Sequence, residues 1–474
     1  MALLQALTTR LGRSFFLPAH GRGRALPDDF RRLLRGRAGV WDLPELPQIG
    51  GPLEIEGAVA ESQRQFAAAM GVQRAWYGVN GATGLLQASL LAVAAPGQAV
   101  LMPRNVHRSL IQACLLGDLT PVLFDVPYQP DRGQPAPPDR PWLERIVQSC
   151  AASGRTIAAA VLLHPTYQGY ANDLTPLVHA LQAQGWPVLV DEAHGSHFAA
   201  NADSSLPPSA LQAGADLVVH SLQKSAMGLA QTAVLWLQGD RVAPERVDRS
   251  LGWLQTTSPS ALLLASCESA LQSWQSVSGR NRLSRRLNEA RALASELKHQ
   301  GLPLLDTQDP LRLVLKTAAR GMSGLEADDW LLQRGWLAEL PEPATLTFCL
   351  GFARHRGLVR AFVRMWSDLL KAHPDRQPFP LFEAPPLPLV ASPEMVLSQA
   401  WRASSVAVPL ADAVGQVSAE LLCPYPPGIP LLVPGERLDQ ERLDWLLRQQ
   451  RLWGDQLPQH VRVVAGGGSM RAER

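Results

Sequence analysis

The chain has 474 residues, 46% of them hydrophobic and 18% charged, with a formal net charge of +2. That length and apolar content suffice for two or three cores, and the balanced charge supplies no single-sign field for nucleic acid or an anionic membrane. Five cysteines (Cys114, Cys150, Cys267, Cys349, Cys423) stand among apolar neighbours without a Cys-x-x-Cys pair, which argues against a disulfide framework or a zinc site and fits a reducing cytoplasm.

No run approaches the roughly 18 apolar residues of a membrane helix, and the start, Met-Ala-Leu-Leu-Gln-Ala-Leu-Thr-Thr-Arg, lacks a charged region before its apolar stretch. A soluble cytoplasmic protein is expected. The N-terminal segment, residues 1–60, carries Leu43-Pro-Glu-Leu-Pro47. From 61 to 275, helical and strand patterns alternate. A helix is expected over Glu61–Met70, and strands at Ala75-Trp-Tyr-Gly-Val, Ala99-Val-Leu-Met, Pro121-Val-Leu-Phe, Ile157-Ala-Ala-Ala-Val-Leu-Leu, Pro187-Val-Leu-Val, Leu217-Val-Val-His and Ala233-Val-Leu-Trp-Leu. Apolar runs without polar alternation suit strands covered on both faces, so these seven predict a mostly parallel α/β sheet with helices on both faces.

A helical stretch over Ser258–Gln300 leads into a small α/β domain (276–373) containing the strands Leu311-Arg-Leu-Val-Leu and Thr345-Leu-Thr-Phe-Cys-Leu. Residues 374–393, dense in proline, read as an extended connector. A C-terminal α+β domain (394–460) follows, with an amphipathic helix over Asp439–Leu452. The tail, 461–474, with its Gly466-Gly-Gly-Ser run, is expected to be disordered.

Strand ends carry the chemistry, because ligands of such sheets collect beyond the carboxyl ends of the strands. One apolar run enters Asp191-Glu-Ala-His194-Gly-Ser-His197, and another enters Ser221-Leu-Gln223-Lys224. An aspartate there can hold the proton on a pyridine nitrogen and a lysine can form an imine with an aldehyde, a pairing that suggests pyridoxal phosphate. The chain has only four lysines (Lys224, Lys298, Lys316, Lys371), so arginine supplies 44 − 4 = 40 of its cations. Of the four, only Lys224 lies beside an expected pocket. The turn Asn80-Gly-Ala82-Thr83-Gly84 opens a helix whose backbone N–H groups and Thr83 hydroxyl suit a phosphate, although a tight turn alone reads the same way. In Pro103-Arg-Asn-Val-His107, the imidazole can stack on a pyridine face or cap a helix. His164-Pro165-Thr166-Tyr167 offers hydroxyls to the cofactor's phenolic oxygen, or is a plain turn with a packed tyrosine. Asp191 alone would also read as a helix cap, and His194 and His197 as satisfied loop groups, a reading retained for His197.

Together with Pro165-Thr-Tyr-Gln-Gly169, Pro424-Tyr-Pro-Pro-Gly-Ile-Pro430 and Pro434-Gly-Glu436, these segments resemble the pyridoxal-phosphate-dependent ornithine, lysine and arginine decarboxylases of the aspartate-aminotransferase fold (fold type I), in the short form without a receiver-like N-terminal domain. The resemblance implies that Lys224 forms the imine, Asp191 pairs with the pyridinium nitrogen and His107 stacks on the ring. It also implies that Ala82, Thr83, Gly84 and Ser221 hold the phosphate, with Thr166, His194 and Gln223 completing the cofactor site. Gln223 departs from the family's usual histidine. No metal is implied. The implied reaction converts a basic amino acid, lysine, arginine or ornithine, to cadaverine, agmatine or putrescine, as in polyamine biosynthesis, in a homodimer or higher homo-oligomer. Two alternatives stay open: an aminotransferase or lyase, with Arg354 or Arg356 as the carboxylate anchor, and a non-catalytic cofactor-binding paralogue.

Overall fold

The computed structural model describes residues 12–36, 38–424, 429–453 and 457–466. After strand β1 (Arg13–Ser14), the chain forms α1 (Ala58–Met70), β2 (Arg74–Gly78), α2 (Gly81–Val93), β3 (Ala99–Pro103), α3 (Arg108–Gly117), β4 (Thr120–Phe124), β5 (Ile157–Leu163), β6 (Val188–Asp191), β7 (Leu217–Ser221) and β8 (Ala233–Leu237). Helices α4 (Ala261–Gln275) and α5 (Val277–His299) replace the single helical stretch expected there, broken at Ser276, whose side chain accepts from Gly279 N and so caps α5.

Strand period decides the architecture. Leu101, Val122, Ala160, Val190 and Val218 face one core, while their neighbours Val100, Leu123, Val161, Leu189 and Val219 face the other. Both faces are apolar because helices cover both. The central sheet is parallel from β4 through β3, β5 and β6 to β7, and β8 then runs antiparallel between β7 and β2. Beyond the seven expected strands, the proline-rich connector contributes an eighth at the edge, which pairs antiparallel with β4 through Val390 and Ala391. An edge is where a ladder tolerates prolines nearby.

The next unit is a four-stranded antiparallel sheet in the order β9 (Leu304–Leu305), β10 (Arg312–Leu315), β13 (Leu346–Cys349), β12 (Leu340–Pro341). Between β10 and β12 lies β11 (Trp336–Leu337), which pairs parallel with β1, and helix α6 (Leu358–Ala372) follows. Phe15, fully buried, locks this N-terminal strand against Trp336, Phe348 and Phe362. After the edge strand β14 (Val390–Ala391), the last unit pairs β15 (Ser405–Pro409) with β16 (His460–Val464) and packs α7 (Gln440–Trp453) on a core that includes Trp445 and Leu446. No helix of the described residues is long and apolar enough to cross a membrane. Residues 425–428, within the proline-rich motif, and 467–474 of the tail lie outside the described residues.

Candidate active site

Parallel register brings the strand ends together: Leu163 of β5 sits beside Asp191 of β6, and Asp191 beside Val219 of β7. Their loops converge on a cavity of about 340 Å³ lined by, among others, Asn105, His107, Thr166, Asp191, His194 and Lys224. Five of the sequence-predicted residues therefore share one wall. Lys224 stands on a single helical turn, Leu222–Ser225, directly after β7. Asp191 accepts from Ala193 N at 3.1 Å through Oδ1, and Oδ2 carries no partner among the described residues. His107 both lines the cavity and caps α3, accepting from Ser109 N at 3.3 Å through Nδ1. With Nδ1 an acceptor, its proton sits on Nε2; burial lowers its pKa, Asp191 opposes, and Lys224 and Arg108 reinforce.

The state of Lys224 follows from its neighbours. Its Nζ lies 2.9 Å from His194 Nε2, and Arg312 Nη2 approaches His194 Nδ1 at 3.5 Å. A guanidinium only donates, so Nδ1 accepts, Nε2 carries the proton, and Lys224 receives it as a neutral amine. Burial pushes Lys224 below its ordinary value, with Asp191 pulling the other way and Arg312 adding to the depression. Burial, then Lys224, Arg312 and His107, hold His194 well below the usual imidazole range. A buried, uncharged amine is the nucleophilic form.

Three features fit pyridoxal phosphate to this geometry. Ser221 Oγ is buried without a hydrogen-bond partner among the described residues. At the start of α2, Asn80 provides no side-chain cap, and the N–H groups of Ala82 and Thr83 are unpaired among the described residues, which makes an anion cradle. Gly81, at φ 70°, orients that turn. Ala82, Thr83, Gly84, Ser221 and Gln223 are not on the wall of the Lys224 cavity, but the cradle is tied to it: Gly81 N donates to Gln231 O at 2.8 Å, and Gln231 N to Gln223 Oε1 at 3.0 Å. Gln223 thus props the loop behind the cradle.

Thr166 Oγ1 accepts from Tyr170 N at 3.1 Å, leaving its proton free for the cavity. Tyr167, expected to reach the cofactor's oxygen, instead donates its hydroxyl to Glu339 and packs its ring 4.3 Å from that of His194. His197 is buried and only half satisfied: its Nε2 lies 3.1 Å from Asp309 Oδ1, while its Nδ1 has no hydrogen-bond partner among the described residues. Beneath the site, Glu192 takes His164 at 2.9 Å, His220 at 2.7 Å and Ser209 at 2.6 Å. Burial would raise Glu192, but the two histidines overrule it and hold the carboxyl at about 2. One carboxylate thereby ties together the ends of β5, β6 and β7.

Several contributors come from far along the chain. Glu342, 3% exposed, reaches the cavity wall and accepts from Gln134 at 2.6 Å, Gln168 at 2.8 Å and Thr345 at 3.1 Å. Burial outweighs these donors and pushes its carboxyl up to about 7. Arg312, rather than Arg354 or Arg356, is the arginine behind the site; Arg354 is exposed and pairs with Glu289, and Arg356 lines another cavity. Arg104, fully buried, pairs with Glu436 at 2.5 and 3.1 Å. This pair pins the loop bearing Asn105 and His107 to the C-terminal unit.

Two family models match the chain: Orn/Lys/Arg decarboxylase, major domain, over residues 2–318, and Orn/Lys/Arg decarboxylase, C-terminal domain, over residues 381–468. An arginine decarboxylase of Halalkalibacterium halodurans is 28% identical over 457 residues, spanning 92% of this chain and 90% of the relative. An arginine decarboxylase of Bacillus subtilis is 28% identical over 452 residues, spanning 92% and 90%. Among solved structures, lysine decarboxylase A from Pseudomonas aeruginosa shares the fold at a TM-score of 0.74 and 17% identity, covering 98% of this chain and 79% of that one.

Proposed function

The chain belongs to the Orn/Lys/Arg decarboxylase family, whose members are pyridoxal-phosphate-dependent amino-acid carboxy-lyases, and from that premise we propose that its substrate is arginine, converted to agmatine and carbon dioxide. The observation that carries the choice is Glu342, a buried carboxylate on the cavity wall that has amide and hydroxyl donors but no cation among the described residues. A guanidinium supplies the missing charge and matches a carboxylate in a planar, bidentate manner. The two arginine decarboxylases similar to this chain over nine-tenths of its length support the same reading.

When bound, pyridoxal phosphate supplies the sink for the electron pair left by the breaking Cα–carboxylate bond. The residues do the rest. Lys224, held as a neutral amine by His194, would bond the cofactor covalently until the substrate amine replaces it. Asp191 Oδ2, free and facing the cavity, would keep the proton on the pyridine nitrogen. His107 would cover the ring, the Ala82–Gly84 turn with Ser221 would hold the phosphate, and Arg312 would draw the substrate carboxylate toward His194. Lys224, taking up the substrate ammonium's proton as it is released, would return that proton to Cα in place of the carboxylate. A homodimer is the proposed working form, because Thr83 leaves the cradle open on an exposed side that a second subunit would close. Incubation of the cofactor-loaded protein with arginine, lysine and ornithine separately tests the reading: agmatine should form fastest, and a preference for cadaverine or putrescine refutes it.

A further inference from the structure

A second cavity, of about 560 Å³, lies over α6 and the β1–β11 pair and shares no lining residue with the Lys224 cavity. Arg13, Arg334, Arg356, Arg360 and Arg364 line it against one carboxylate, Asp368, a balance of 5 − 1 = +4. Among the described residues none of these five guanidiniums has an ion-pair partner, whereas Arg286 and Arg354 nearby share Glu289 at 3.4 and 3.0 Å. Arg356, Arg360 and Arg364 recur every four residues, so they form one row along and just before α6. Like charges at that spacing destabilise a helix, so the row works against the element that carries it unless an anion neutralises it.

The two remaining arginines are held on indoles. The Arg334 guanidinium lies 3.8 Å from the Trp330 ring centre and donates to Trp330 O at 2.9 Å, and Arg13 lies 5.6 Å from the Trp336 ring centre. Stacking fixes the planes and leaves N–H edges for a ligand. Trp336 is itself stacked on Phe15, with ring centres 5.6 Å apart, so among the described residues its indole already has a ring and a guanidinium against it. Nearby His355 is pushed down to about 4 by burial first, then by Arg24 and Arg286 outside the cavity and Arg13 within it.

We infer that this cavity binds a small polyphosphate anion, with consecutive phosphate groups lying along the row Arg356, Arg360 and Arg364. Arginine forks match phosphate oxygens bidentately, and a chain of three phosphates matches the net charge. No ring or sugar is needed.

Calorimetric titration of the cofactor-loaded enzyme with inorganic triphosphate tests this, because the loaded cofactor occupies the other phosphate site. One-to-one binding that weakens with added salt is expected, with ATP binding no more tightly than triphosphate. The double substitution Arg360→Gln and Arg364→Gln should weaken binding at least about tenfold, while Arg448→Gln, an exposed arginine elsewhere, leaves it unchanged. Thermal melts of both variants establish that they fold. The proposal falls if triphosphate gives no binding at millimolar concentration, or if the double variant binds it as tightly as the parent. It falls equally if only ATP binds, or if the double variant changes the oligomeric state while the parent ignores triphosphate, in which case the groove is a contact between copies.

Discussion

Glu436→Ala should cost this protein about 3–5 kcal/mol of stability, although residue 436 lies far in sequence from Lys224. Glu436 receives Arg104 Nη1 at 3.1 Å, Arg104 Nη2 at 2.5 Å and Val433 N at 2.9 Å. Truncation leaves the Arg104 guanidinium, fully buried, with Nε unpaired and only the Pro430 and Leu431 carbonyls as acceptors among the described residues, the nearer at 3.1 Å. An uncompensated buried charge accounts for most of the cost, and the orphaned Val433 N–H adds roughly 1 kcal/mol. Replacing both partners, Arg104→Met with Glu436→Met, removes the charges together and should recover most of the loss. Urea denaturation of the parent, the two single variants and the double variant, all cofactor-loaded, measures the cycle. A loss below about 1 kcal/mol for Glu436→Ala, or single losses that simply add in the double variant, would refute the clamp.

The carboxyl of Glu342 titrates near 7, and its raised value means that the folded protein keeps this proton while the unfolded chain has lost it. Stability from this group is therefore fully present below the ordinary glutamate range and lost as pH rises through about 7. For a cationic substrate the sign reverses: KM should rise as pH falls through that value, and Glu342→Gln should flatten the profile while raising KM at alkaline pH. Asp191→Ala should retain cofactor but lower kcat by about 10²-fold or more, as steady-state assays and cofactor absorbance read together would show. Gln223→Ala removes the strut to Gln231, and equilibrium dialysis should show weaker retention of pyridoxal phosphate with kcat at saturating cofactor little changed.

Much of this was legible in the residues. The seven central strands stand out because both their faces are buried, so each is an uninterrupted apolar run. Lys224 stands out because lysine is scarce here and this one follows a strand. Asp191, His107 and His194 followed from strand-end position. Arg312 and Glu342 did not, for a physical reason: they reach the site across a tertiary boundary, Arg312 from a strand of the smaller sheet and Glu342 from just after one, and local sequence carries no mark of which buried side chain faces which cavity. Forty arginines also make any single one inconspicuous. Tyr167 lay in the right loop, but its hydroxyl goes to Glu339, a partner that only the packing of the smaller sheet reveals. The Pro-Gly-Glu segment was noticed as a pattern, and its reason, a buried bidentate partner for Arg104, required the fold.

The central claim is that Lys224 is the residue that carries the cofactor, and it is tested most directly by reducing the cofactor-loaded enzyme with borohydride and mapping the peptides by mass spectrometry. The account predicts one pyridoxyl group, on Nζ of Lys224. A label on Lys298, Lys316 or Lys371 instead, or none at all, would contradict it.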